Sequence, residues 1–548
     1  MSPFDTPSAT LTTQSLVPAE RARTLVWSAR ALLAAVSGLM MYAPWVNPML
    51  FWTGWLAGVP LLYALRDTRL STAFLLGWLA GVLCFAGASH WMIDFMIHLK
   101  GLPWLVSAFL SALFWLYTGL AVGFACLIYR WFSLRLPRWD LLSFPLIVVV
   151  VMTIFPQLFV TDFAEGQARF LPALQGVDLV GAQGLNLIML LFSVLLFQLL
   201  QAQYSQDRAA ALGMSAAAAV ILLWFAYGFF ALSYWDSQVR NWETTRIGLV
   251  QPNDAPSRRI PPPREGFTRE APEEMVASRR LAKAGAQWVA WPEARYKGYY
   301  DMFTVRQGYA KEVGNWGVPL FFHDVENRWI DAEKVSFNTV AWLDGKGQLA
   351  GQYRKVKRMP FGEYLPAFFQ LPGVGHITRM FMGDYLRPVG AGTEHQVFSV
   401  GGMRVIPKVC YETAFPQFVA ASIGSDASGK LLLFLSQDNW FGETSQPFQH
   451  RDMSIVRGVE NRVPMVHLIN NGPSVATAPS GRVVASTQAF SRAERLVDMP
   501  FDAQAGGSFY SRHAVWVQRA LYTALGLLLL FGLLLGRGKN SGRSQFSG

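Results

Sequence analysis

Long apolar runs separated by short polar loops fill the first 240 positions of the chain, and one more lies near its end. An apolar stretch of about 20 residues crosses the hydrocarbon core of a bilayer as a helix. Seven such stretches lie near 27–43, 48–65, 71–94, 103–129, 141–159, 177–200 and 211–233. An eighth, at 514–536, includes Leu527-Leu528-Leu529-Leu530. A single stretch of this kind is compatible with a buried core helix, whereas eight in one chain predict a polytopic membrane bundle.

From residue 244 to about 500 the pattern changes to short β-branched or apolar runs alternating with polar, helix-like stretches. Thr245–Gln251 reads as a strand, followed by a loop through Pro261-Pro262-Pro263, a helix from Pro272 to Ala284 and a strand over Gln287–Trp291. Asn338–Leu343 and Gln348–Tyr353 flank Asp344-Gly345-Lys346-Gly347, a hairpin signal. Val405–Cys410 and Leu431–Leu435 are short enough to be buried strands. Val475–Ala478 and Arg482–Ala485 flank Pro479-Ser480-Gly481 as a second hairpin. The pattern predicts an α/β domain with mixed strands over 241–505, between a bundle of seven helices at 1–240 and an eighth helix with a short tail at 510–548.

Composition supports this division. Only 15% of the 548 residues are charged, against about a quarter in soluble proteins, and the mean hydropathy is +0.25. A disordered chain is excluded and an ordinary soluble enzyme disfavoured. Residues 1–240 hold 22 charges and residues 241–548 hold 61. The net charge of +11 has a topological reading. Arg21, Arg23, Arg66, Arg69, Arg130, Arg135, Arg138, Arg208, Arg537, Lys539 and Arg543 fall on one side of the predicted bundle, and the alternate short loops hold Lys100 and Arg169. Lys and Arg concentrate in cytoplasmic loops, so both termini are expected in the cytoplasm and the segment 234–513 on the opposite face. The start of the chain has no cleavable signal pattern, which makes the first helix an expected uncleaved anchor. No paired C-x-x-C or Walker-type loop occurs, and three cysteines exclude a disulfide scaffold.

Three residues at predicted strand ends carry candidate chemistry. Cys410 is the one cysteine outside the predicted membrane helices, Glu293 follows Trp291-Pro292, and Lys355 follows the first hairpin in Tyr353-Arg354-Lys355. Taken alone, each reads by default as structural: a buried thiol, a solvated loop carboxylate and a surface ammonium. Together they offer the chemical parts of a reaction centre. A thiol with a pKa of about 8.5 needs a base to become a nucleophile, a carboxylate can take its proton, and an ammonium can stabilise the resulting oxyanion.

Glu, Lys and Cys in this order resemble the catalytic triad of the nitrilase, or carbon–nitrogen hydrolase, superfamily. Tyr353-Arg354-Lys355 with Pro360-Phe361-Gly362-Glu363-Tyr364-Leu365-Pro366 is similar to its lysine motif, and Cys410-Tyr411-Glu412 to its nucleophile motif. Ser436-Gln437-Asp438-Asn439-Trp440-Phe441-Gly442, Gln449-His450 and Asn470-Asn471-Gly472 follow in the expected order. One branch of the superfamily, the apolipoprotein N-acyltransferases, embeds this domain between the seventh and eighth of eight membrane helices, and the resemblance covers essentially the whole chain. Ser89-His90-Trp91 and Phe155-Pro156 also resemble that branch.

The resemblance implies an αββα sandwich on a helical bundle in the bacterial inner membrane, with the catalytic domain in the periplasm. It implies transfer of an acyl chain from a membrane phospholipid, through a Cys410 thioester, to the α-amino group of the S-diacylglyceryl cysteine of an apolipoprotein. Glu293, Lys355 and Cys410 would be catalytic. Glu363 would orient Lys355, and Tyr411, Glu412 and Trp440 would support the site or line the substrate pocket. No metal or soluble cofactor and no nucleic acid is expected. Two segments depart from the family pattern: Gln251-Pro252-Asn253-Asp254 with Arg258-Arg259 and the prolines, and Ala294-Arg295-Tyr296. The alternatives are a membrane-tethered amidase or nitrilase-type hydrolase with the same triad, a paralogue with another acceptor, and a non-catalytic membrane scaffold.

Overall fold

The computed structural model describes residues 19–201, 208–256, 262–293, 298–382, 389–504 and 506–538. Arg258-Arg259, Ala294-Arg295-Tyr296, Lys539 and Arg543 lie outside the described residues. Among the described residues, seven helices are long and apolar enough to cross a membrane: Leu25–Val46, Pro48–Leu65, Leu70–Ala88, Trp104–Ser133, Val177–Gln201, Arg208–Val239 and Phe509–Leu535. The chain is a multi-pass membrane protein.

The stretch expected to span over 141–159 is a shorter helix, Asp140–Ile154, of 15 residues. It stops because Pro156 disfavours helical backbone at the preceding residue, and Phe155 is extended. At 1.5 Å per residue it reaches about 22 Å, less than the hydrocarbon thickness. Ser143 to Met152 are all buried, so protein rather than lipid surrounds it. The stretch expected over 71–94 also divides: the membrane helix ends at Ala88, and Met92–Lys100 forms a separate short helix closed by Gly101 in the left-handed region.

The Leu70–Ala88 and Trp104–Ser133 helices cross closely at Gly81 and Gly119. A Cβ at Gly81 would lie 2.7 Å from the Gly119 carbonyl oxygen, so glycine here permits backbone contact between apolar helices. On the catalytic-domain side of this crossing the two helices line a cleft through Phe85, Ala88, Phe114 and Thr118.

The α/β part contains two sheets. One has the order β13 (Ala493–Phe501), β1 (Glu243–Gln251), β2 (Trp288–Ala290), β3 (Leu320–Ile330), β4 (Glu333–Leu343) and β5 (Leu349–Arg354), with β6 (Val389–Gly390) beside β4. The other runs β12 (Val483–Ser486), β11 (Val475–Thr477), β10 (Met465–Ile469), β9 (Lys430–Ser436), β8 (Met403–Val409) and β7 (Phe398–Val400). Both predicted hairpins form, β4 with β5 and β11 with β12. In β9, Leu431, Leu433 and Leu435 face the core between the sheets, while Leu432 and Phe434 face the opposite way. That accounts for its uninterrupted apolar run, because a parallel strand is covered on both faces. Helices Glu273–Lys283 and Phe303–Trp316 cover the first sheet, and Pro416–Ile423 and Gln446–Asn461 cover the second. The result is an αββα sandwich.

The helical layer over the second sheet sits on the bundle. Ile455, Val456 and Val459 share one apolar cluster with Trp55, Leu174, Leu185 and Met189. Buried charges set the register of this contact. Arg462 follows the Gln446–Asn461 helix with left-handed backbone and donates to Asp178 Oδ2 at 2.8 Å, Gln175 Oε1 at 2.8 Å and the Gln175 carbonyl at 3.0 Å. Arg457 and Glu460 pair at 2.8 Å with both side chains 0% exposed. Glu460 also accepts the Ala182 N–H at 2.8 Å, just past Gly181, where the 177–201 helix kinks.

Removing one partner of a buried pair leaves the other charge desolvated, at a cost of about 3–5 kcal/mol. Arg462→Ala is expected to lower the unfolding free energy of the detergent-solubilised protein by about that amount and to expose the 234–242 junction to limited proteolysis. A loss below about 1 kcal/mol would show that water solvates the pair.

Candidate active site

β8 and β9 run parallel with apolar residues on both faces, and β8 delivers Cys410 to the edge of the inter-sheet core. Cys410 has a φ of 46°, a left-handed conformation that costs a non-glycine residue about 1–3 kcal/mol. The turn is braced by Glu412, which is 0% exposed. Its carboxylate accepts the N–H groups of Val409 at 2.8 Å, Val356 at 2.7 Å and Lys357 at 3.0 Å, together with the Tyr353 hydroxyl at 2.8 Å. One side chain therefore ties the Cys410 turn to the segment after β5 that carries Lys355. Glu412 is a brace beneath the turn, away from the cleft.

Lys355 is 1% exposed and donates to Glu363 Oε1 at 2.8 Å. Glu363 is oriented by the Met359 N–H at 2.7 Å and by the Asn338 side-chain amide. Burial pulls the Lys355 ammonium down, but the negative charges of Glu363, ionised Cys410 and Glu293 outweigh it and hold its pKa above the ordinary value. Glu293 follows β2 and accepts the Gln437 N–H at 3.0 Å. Burial raises its pKa to about 7, with Lys355 opposing and Glu363 and Asp438 adding to the rise. Burial likewise pushes the Cys410 thiol up, with Glu293 adding and Lys355 opposing. The three predicted residues thus meet at one place, with a neutral thiol, a carboxyl poised near neutrality and a permanent ammonium.

His450 has a place at this centre that its motif did not specify. Its Nδ1 lies 2.9 Å from Asp438 Oδ2, and its Nε2 lies 2.8 Å from Thr413 Oγ1 and 3.2 Å from the Cys410 carbonyl. Burial lowers its pKa, but the Asp438 carboxylate more than reverses this, so the imidazole titrates above its ordinary value. Among the described residues, Cys410, Asp438 and His450 are the one group of metal-ligand types, with ligand atoms within 4.8 Å of one another. The Asp438–His450 hydrogen bond and the contacts of Nε2 occupy both ring nitrogens, so the group serves as a hydrogen-bonded support under the Cys410 turn.

Cys410, Tyr411, Met359, Phe441, Gln449 and His450 line a cleft whose opposite wall is Trp45, Phe85, Trp91, Phe114, Thr118 and Phe159 of the bundle and its loops. Tyr411 reaches the Leu158 carbonyl at 3.1 Å, and Gln449 bridges the Ala88 carbonyl at 2.8 Å and the Trp91 indole at 3.0 Å. Phe441 takes the wall position, stacked on Phe95 at 5.0 Å. Trp440 packs behind it in the same cluster, with its carbonyl 3.2 Å from His98 Nδ1. Of the departing segments, Gln251 is a structural hub. It donates to the Gln488 and Ser491 carbonyls and accepts from Ser474. Asn253 and Asp254 are held by Asn470.

Comparison with known proteins gives the same picture in two parts. The carbon-nitrogen hydrolase family model matches residues 257–502, and the model of the apolipoprotein N-acyltransferase N-terminal domain matches residues 37–195. An apolipoprotein N-acyltransferase of Geobacter metallireducens is 28% identical over 500 residues, covering 88% of this chain and 91% of the relative. One from Pseudomonas aeruginosa is 26% identical, covering 93% and 96%, and one from Gloeobacter violaceus is 28% identical, covering 88% and 89%. Among solved structures, an amidase from Nesterenkonia sp. is 19% identical with a TM-score of 0.36, covering 51% of this chain and 97% of that one. With both domain types in one chain and relatives matched over nearly their full length, the chain is an acyltransferase that belongs to the apolipoprotein N-acyltransferase family.

Proposed function

We propose that the protein transfers an acyl chain from a membrane phospholipid to the α-amino group of a diacylglyceryl apolipoprotein, through a thioester on Cys410. The observation that carries this reading is the shared cleft: the thiol opens into a mostly apolar space whose far wall belongs to the membrane bundle. An acyl chain can occupy that space while its ester carbonyl lies at Sγ. A soluble amide substrate would have no use for such a wall.

In the first step Glu293 accepts the thiol proton as Sγ adds to the ester carbonyl, and the oxyanion forms against the Lys355 ammonium. The bond from carbonyl carbon to glycerol oxygen then breaks. Glu293 returns the proton to that oxygen, lysophospholipid leaves and the thioester remains. In the second step the neutral α-amine adds to the thioester carbonyl, Glu293 takes an amine proton and the C–S bond breaks. The thiolate recovers the proton and the amide departs. Glu363 keeps the ammonium aimed, and Glu412 and the His450–Asp438 pair hold the nucleophile's turn. The distribution of Lys and Arg favours both termini in the cytoplasm and the catalytic domain in the periplasm, with the protein in the bacterial inner membrane.

Incubation of the purified protein with phospholipid vesicles is expected to add one acyl mass to Cys410, and a diacylated lipopeptide then to become triacylated. Cys410→Ala is expected to abolish both products. Free fatty acid without triacylated peptide would instead establish a hydrolase.

The pH dependence of acylation has a definite sign. Glu293 accepts a proton only when ionised, and its pKa lies at about 7. The acylation rate is therefore expected to rise about tenfold per pH unit below that value and to level off above it. Glu293→Gln is expected to remove this ascending limb and to slow acylation by about 10²–10⁴-fold. A rate independent of pH from 5 to 8 in the native protein would assign the base elsewhere.

A further inference from the structure

The cleft beside Cys410 has a closed lower end. It stops at Phe85 of the Leu70–Ala88 helix and Thr118 of the Trp104–Ser133 helix. Beneath them, at Gly81 and Gly119, the two backbones touch. A Cβ at Gly81 would lie 2.7 Å from the Gly119 carbonyl oxygen, and one at Gly77, a turn further down, would lie 2.8 Å from that of Val122. Ala80, Ala121 and Val122 around these contacts are buried. Helices that meet at glycine leave no passage between them, so the contact seals the space.

The floor asks no hydrogen bond of an occupant. The Thr118 hydroxyl donates back to the Phe114 and Trp115 carbonyls of its own helix, at 2.9 Å and 3.3 Å. A file of rings joins this floor to the nucleophile. Tyr411, next to Cys410, packs on Phe159 with 6.3 Å between centroids, and Phe159 packs on Phe114 at 5.9 Å, one turn from Thr118. On the side of the first helix, a Cβ at Gly87 would meet the Tyr42 ring at 2.5 Å, so that wall is closed as well. Contacts between helices therefore fix the depth of the space from the thiol to Phe85.

We infer that this floor measures the acyl chain: Phe85 and Thr118, held over the Gly81–Gly119 contact, set the chain length that the protein accepts. The inference deepens the acyl-transfer reading above and rests on it. Bilayer and cleft are both apolar, so a methylene group gains little by moving from one to the other, and fit is what discriminates. A chain too long for the space must buckle against Phe85, which a close-packed wall penalises. A chain too short leaves a void over the floor, where the lining side chains lose their contacts. With the reacting carbonyl held at Sγ, the chain cannot slide to relieve either mismatch.

The test uses the full-length protein and vesicles of phospholipids that share one headgroup and carry saturated chains of different lengths in equal amounts. The mass added to Cys410 identifies the chain taken. The native protein is expected to favour one length and to disfavour a chain two carbons longer by about fivefold or more, the scale of a modest overpacking. Phe85→Ala lowers the floor and is expected to move the preference to longer chains. Thr118→Leu raises the floor and is expected to move it to shorter ones. Opposite shifts cannot come from a general loss of packing. If Phe85→Ala does not fold, Phe85→Leu carries the same test with a smaller shift. Equal labelling at every length in the native protein would overturn the inference, because the chain would then lie in the bilayer. A preference that neither variant moves, or that both move in one direction, would also overturn it. Acylation lowered alike with every chain would do the same, as a structural effect. Native protein that acylates Cys410 with no chain overturns the acyl-transfer reading itself, which distinguishes that failure from this one.

Discussion

The seating of an α/β sandwich on a membrane bundle through buried charge is the constraint on which the rest of the structure depends. Arg462 enters the bundle and meets Asp178, Gln175 and a backbone carbonyl, and Arg457 pairs with Glu460 a turn earlier. Apolar surfaces alone would let the layers slide, because burial is non-directional. A desolvated guanidinium tolerates one geometry, since any slip leaves a charge without its partner. That register brings Cys410 and Phe441 opposite Phe85 and Phe114. Neither domain alone encloses the cleft.

Within the domain, environment separates the roles of chemically similar groups. Glu293, Glu363 and Glu412 are all carboxylates near one thiol. Glu412 is saturated by backbone N–H donors and the Tyr353 hydroxyl, which suits a brace for a strained turn. Glu363 is engaged by Lys355, Asn338 and the Met359 N–H, which suits an orienting group. Glu293 has one backbone donor and a pKa raised to about 7, which suits a group that must both take and return a proton. Acid–base assignment by differing environments is a general device. The downward pull of burial on Lys355 is outweighed because Glu363, ionised Cys410 and Glu293 surround it.

The fold class was readable because both periodicities are strong. Apolar runs of membrane length and β-branched runs beside Asp344-Gly345 need no tertiary knowledge. The expected stretch at 141–159 overran the helix because hydropathy reports composition, while Pro156 ends the helix at Ile154 through backbone sterics. Lys355 and Cys410 stood out through their neighbours in sequence, Tyr353 to Glu363 and Tyr411-Glu412. His450 carried the weaker signal of a Gln-His pair, and its link to Asp438 and the Cys410 carbonyl spans 12 and 40 positions.

By itself the sequence determined that a membrane bundle carries an α/β domain, and which thiol, ammonium and carboxylates were candidates for one reaction. Those properties reside in local periodicity and in short words whose chemistry does not depend on distant residues. Only the tertiary structure decided that Glu293 is desolvated, that Cys410 adopts left-handed backbone over Glu412, and that the thiol faces a wall built by the bundle. Desolvation, strain and enclosure arise from contacts between residues far apart in the chain, and no local pattern encodes them.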